Sequence, residues 1–116
     1  MNTPAAAPHT YLADLLKVQD VPEKGTLSRT LQQDAHSKVV LFSFAAGEEL
    51  SEHTASLPAI MHFLSGRARV TVGQDACAAG PGTWIHMPPH TKHSIRAETP
   101  LVMLLTLIKT GRPAAT

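Results

Sequence analysis

The sequence predicts an all-β chain, an antiparallel barrel or sandwich with one short helix in front of it. Three observations carry this expectation. From Gly25 onward the hydrophobic residues recur with period two, and turn-forming residues interrupt that pattern at short intervals. The length, 116 residues, sets one hydrophobic core and one domain.

The elements follow in order. Residues 1–9 are small and Pro-rich and read as a flexible arm, and residues 111–116 as a flexible tail, leaving 10–110 for the domain. In "TYLADLLKVQ", Leu12, Leu15, Leu16 and Val18 stand near helical spacing behind Thr10 as an N-cap, and Pro22 ends the helix. "TLSRTLQ" is a first strand. "KVVLFSFAA" alternates Val40, Phe42 and Phe44 against Val39, Leu41 and Ser43. "AIMHFLSG" turns at Ser65-Gly66 into "RARVTVGQD", which turns again at Gly73. "GTWIHM" is closed by Pro88-Pro89, "KHSIRAE" follows, and "LVMLLTLIK" is a last strand apolar on both faces. A strand of that kind must be covered twice, by the core and by either the N-terminal helix or a second copy of the chain; the second copy is the more economical, so a homodimer is expected.

Composition excludes several functions. Hydrophobic residues make up 43% and charged residues 16%, an ordinary globular balance. A net charge of +1 with scattered Lys and Arg offers no basic stripe for a phosphate backbone, so no nucleic-acid partner is expected. "MNTPAAAPHT" lacks the pattern of a secretory leader and "LVMLLTLI" is too short to span a bilayer, which predicts a cytoplasmic protein without a membrane partner. The lone Cys77 allows neither an intrachain disulfide nor a CxxC pair and reads as a half-buried thiol at a hairpin rim. No Ser-His-Asp spacing, phosphate-cradling glycine loop or carboxylate pair appears. Glu48, Glu49 and Glu52 read as a solvated acidic run.

The histidines carry the resemblance. In "GEELSEHTA" five residues separate Gly47 from His53, and Gly66 closes the segment. In "GTWIHMPPHTKH" five residues separate Gly82 from Pro88, and His93 lies five further on. The chain thereby resembles the cupins, whose two motifs read G(x)5HxH(x)3-4E(x)6G and G(x)5PxG(x)2H(x)3N. Six of these ten motif positions match, the fifteen residues between Gly66 and Gly82 fit a short intermotif segment, and the resemblance spans about Ser28 to Lys109. More narrowly, the chain is similar to small single-domain bacterial cupins of the conserved-barrel type. The resemblance implies a double-stranded β-helix, the cupin jelly-roll barrel.

It also implies a metal site, and there the chain departs from the pattern. Ala55 replaces the second histidine, Ala59 the glutamate, His90 the second motif's inner glycine and Ala97 the asparagine. In metal-binding cupins three histidines and the glutamate hold Fe, Mn, Ni or Zn; of those four, His53 and His93 remain. Two imidazoles alone make a weak site for a divalent metal. Alternation from position 53 directs Met61 and Phe63 inward and His62 outward unless a bulge shifts the register. His86 is undecided, His90 belongs at the barrel mouth, and His9 and His36 read as surface residues.

Two functions stay open. One is a barrel that binds a small metabolite through His53, Met61, Phe63, His93 and Ile95, without a complete metal site. The other is a metal-dependent enzyme of dioxygenase or isomerase type, holding a divalent metal through His53, His93 and a third ligand recruited from His86, His62 or His90. The catalytic residues of such an enzyme are not assigned by the sequence.

Overall fold

A computed structural model describes residues 8–109. The arm and tail expected at the two ends lie largely outside these residues. Among the described residues nine strands form in chain order: β1 (Thr26–Gln33), β2 (Ser37–Phe44), β3 (Glu49–His53), β4 (Ala59–Ser65), β5 (Ala68–Val72), β6 (Asp75–Ala79), β7 (Trp84–Met87), β8 (His93–Ala97) and β9 (Leu101–Ile108). They build two antiparallel sheets, β1-β2-β9-β4-β7 and β3-β8-β5-β6, packed face to face as the predicted jelly-roll barrel. The first motif runs through β3 and β4 and the second through β7 and β8; β3 pairs with β8 in one sheet and β4 with β7 in the other, so the two cupin-like motifs lie side by side.

Alternation decides what fills the space between the sheets. Phe44, Met61, Phe63, Val70, Met87, Ile95, Leu101 and Met103 belong to one buried cluster, because every second residue of each strand points to the same face. Phe63 is fully buried. The turn at Gly66 admits no side chain: with φ of 86°, a Cβ there would collide with the Pro100 carbonyl oxygen.

The short helix expected at the start of the chain is present, with a different cap. The expected helix is a single 3-10 turn, Leu15–Lys17, capped by Asp14, whose side chain accepts from the Leu16 N–H, and not by Thr10. Tyr11, Leu12 and Leu16 are exposed, so the apolar spacing finds no surface to bury, and a helix this short is marginal without one. The residues after the turn do cover something. Gln19 donates to the Ser43 hydroxyl at 3.0 Å and Arg29 to the Val18 carbonyl at 3.1 Å. Leu41, Ser43 and Val102 beneath them, on the outward face of β2 and β9, are nearly inaccessible. One end of the apolar outer face is thus closed by the chain itself, while Trp84 and Ile108 towards the other end remain exposed at 58% and 38%.

The β1–β2 connection is held by Asp34, whose carboxylate accepts from the His36 and Ser37 N–H groups at 2.7 and 2.9 Å. Those bonds, His36 first, hold its carboxyl below the ordinary carboxylate value.

Candidate functional site

His53 ends β3 and His93 begins β8, and the two are register partners across that pair of strands. Their rings lie 4.1 Å apart between centroids, inclined at 57°. A bulge makes this possible. Leu50 pairs with Ile95 and His53 with His93, so three steps along β3 match two along β8. One extra residue returns His53 to the inward face that Leu50 already occupies and leaves Glu49 and Ser51 facing outward.

The two imidazoles are fixed in the same way. His53 Nδ1 lies 2.8 Å from the carbonyl oxygen of Ser51, and His93 Nδ1 lies 2.9 Å from that of Thr91. A carbonyl oxygen only accepts, so each Nδ1 carries the proton and each neutral ring keeps its lone pair on Nε2. The pair therefore consists of two acceptors side by side. Their surroundings differ: His53 is exposed, whereas His93 is 5% exposed. Burial lowers the pKa of His93, the Thr91 carbonyl opposes that effect, and the neighbouring His53 adds to the lowering.

The mouth around the pair is built by three loops. The His90 N–H donates to the Ala55 carbonyl at 2.7 Å, tying the connection before β4 to the one before β8. The Gly73 N–H donates to the Lys92 carbonyl at 2.7 Å, bringing in the β5–β6 turn. His90 holds φ of 66°, a left-handed conformation, at the position where the cupin pattern has glycine.

The remaining sequence candidates separate cleanly. Met61, Phe63 and Ile95 point inward and are almost fully buried within the core cluster. His62 lies on the outward face, opposite Trp84 on β7 and Leu104 on β9. His86 also faces outward, exposed and stacked on Trp84 with ring centroids 6.4 Å apart. Neither can reach His53 and His93 through the sheet. His90 is exposed at the mouth. His9 and His36 are surface residues, and Cys77 is half-buried on β6 as expected.

The donor set does not fit the divalent metal that the two motifs imply. Where the pattern supplies a second imidazole and a carboxylate, Ala55 and the buried Ala59 supply none. Among the described residues no group of three or more His, Cys, Asp and Glu side chains comes together. Sequence reasoning did not single out Val72, which pairs with His93 across β5 and β8; its place next to that histidine depends on the pairing of two strands far apart in the chain.

The cupin-domain model (Cupin_2, "Cupin domain") matches residues 40–107. The chain belongs to this family. Among solved structures, this cupin is similar to a conserved protein of unknown function from Streptococcus pyogenes, with 30% identity, 99% and 98% of the two chains covered and a TM-score of 0.79. It is also similar to a cupin superfamily protein from Desulfitobacterium hafniense at 27% identity, covering 94% of this chain and 96% of that one, with a TM-score of 0.77. An RmlC-like cupin from Desulfovibrio desulfuricans, at 24% identity over 86% and 97% of the chains and a TM-score of 0.76, shares the fold. No curated protein matches the chain.

Proposed function

We propose that this cupin binds a small metabolite at the barrel mouth, with the Nε2 atoms of His53 and His93 accepting hydrogen bonds from it. One observation carries the reading: both Nδ1–H groups are committed to backbone carbonyls, so two oriented lone pairs stand on adjacent rings. A ligand presenting hydroxyl or amino donors beside an apolar body matches acceptors set against the apolar barrel wall. The half-exposed pair lets the ligand keep contact with water on one side.

The competing reading is a metal-dependent dioxygenase or isomerase. The same Nδ1–carbonyl bonds favour it, since they are also how metal-ligating imidazoles are oriented. Against it stand the outward positions of His62 and His86 and the alanines at 55 and 59.

Elemental analysis of protein reconstituted with Fe, Mn, Ni and Zn in turn, alongside the His53→Ala/His93→Ala double variant, separates the two. The binding reading expects no stoichiometric metal in either. A thermal-shift screen of small polyols, amines and hydroxy acids is then expected to find stabilising compounds that lose their effect in the double variant. Stoichiometric metal that disappears with the two histidines would overturn the reading.

A homodimer belongs to this proposal as well. The exposed Trp84 and Ile108 and the half-buried Leu104 extend the outward apolar face beyond the part next to Val18 and Gln19.

A further inference from the structure

The outward face of the four-stranded sheet carries a feature that the barrel mouth does not use. A depression of about 370 Å3 lies over β3, β8 and β5, on the reverse side of the strands that hold His53 and His93. Arg69 and Arg96 both line it and are direct cross-strand partners. Like charges placed opposite one another on a sheet face repel, so such a row calls for counter-charges. Arg96 has one, because its guanidinium donates to Glu49 at 3.0 Å and Glu49 is its partner on β3.

Arg69 has none. Its other cross-strand partner is Ala78 on β6, a methyl group where an acidic side chain would complete the row. Among the described residues its guanidinium makes no hydrogen bond and no ion pair, so its full fork of donors faces the depression. The next row of the same face supplies Ser94 and Thr71, also partners of each other, which both line the depression and whose hydroxyls make no hydrogen bond among the described residues. Glu52, within the β3 bulge, also lines the depression and repels an anionic ligand there.

We propose that this depression is a binding site for the oxyanion group of a small molecule, a carboxylate or a phosphate. Arg69 grips two of its oxygens, and the Ser94 and Thr71 hydroxyls donate to the free lone pairs of those two oxygens in a carboxylate or to the remaining oxygens of a phosphate. A guanidinium fork matches both groups in the same bidentate geometry, while hydroxyl donors beside it make the site more than a point charge.

Two-dimensional amide NMR titrations with inorganic phosphate and with succinate, at ionic strength fixed by chloride, test this. The expected result is saturable shifts centred on Arg69, Thr71, Ser94 and Arg96. Saturation by phosphate alone, by succinate alone or by both supports the site and identifies which oxyanion it takes. Arg69→Gln should weaken binding by roughly tenfold or more, the scale of a charge-assisted hydrogen-bond pair. Ala78→Glu should weaken it several-fold by giving Arg69 an internal carboxylate, and Glu52→Gln should tighten it by up to about threefold. All three positions are exposed, and retained amide dispersion shows that each variant folds. Shifts that never saturate with either anion, or midpoints unchanged in Arg69→Gln, would overturn the proposal.

Discussion

His90 offers a sharp test of how the barrel mouth is built. Its φ of 66° costs a side-chain-bearing residue about 1–2 kcal/mol relative to ordinary backbone. Its imidazole is exposed, and the bond it makes, from its N–H to the Ala55 carbonyl, belongs to the backbone and survives any substitution but proline. His90→Gly therefore removes the conformational cost without removing a contact. Against this, glycine adds about 0.5–1 kcal/mol of backbone freedom to the unfolded chain. The balance is a gain of about 0.5–1 kcal/mol. For 116 residues at about 2.1 cal/mol/K each, the unfolding entropy is roughly 0.24 kcal/mol/K, so the gain raises Tm by about 2–4 °C. Calorimetry on His90→Gly, with His90→Val as a β-branched control that should fall below the parent, measures both. A loss of more than about 1 kcal/mol in His90→Gly would refute the reasoning, because it would mean that the imidazole itself holds the mouth together.

Other outcomes follow from features already described. The lowered pKa of His93 makes the unfolded chain bind more protons than the folded one, so stability is complete above the ordinary histidine value near 6.5 and declines as pH falls through it towards the lowered value; denaturant midpoints against pH should show this slope, and His93→Phe should flatten it. Phe63→Ala opens a void in the closed core and should cost about 3–5 kcal/mol in urea unfolding. Light scattering should report a dimer at micromolar concentration that becomes a monomer in Leu104→Glu, and a parent protein that is monomeric would contradict the proposed self-association.

The barrel was legible because its causes are local in the chain. Alternation in "VVLFSFAA" and "AIMHFLSG" and the turns at Gly66 and Gly73 are set by neighbouring residues, and motif spacing alone identified His53 and His93. What escaped depends on events between strands. The bulge before His53 is a mismatch of lengths between β3 and β8, so counting back from His53 would have turned Ser51 inward and Leu50 outward, the reverse of what forms. His86 could not be oriented until its pairing with Ile60 fixed the face of β7. The depression beside Arg69 draws on side chains of three strands from distant parts of the chain, and the methyl group of Ala78 that leaves Arg69 uncompensated means nothing until β6 is laid beside β5. At the N-terminus, spacing suggested a short helix, and it forms only as one 3-10 turn, because Val18 and Gln19 after the turn, and not the apolar face of the helix, lie over the outward face of β2 and β9.

That covering strap changes how the protein should be cut. The family match begins at residue 40, inside β2, and ends at residue 107, within β9. A fragment made to those limits would drop β1, sever the pairing of Ser37 and Val39 with the end of β9, and bare Leu41, Ser43 and Val102. The stretch that the family model matches is shorter here than the unit that folds. Domain fusions and shortened versions should therefore keep everything from the Asp14 cap onward, since Val18 and Gln19 are as much a part of the barrel wall as the strands they lie on.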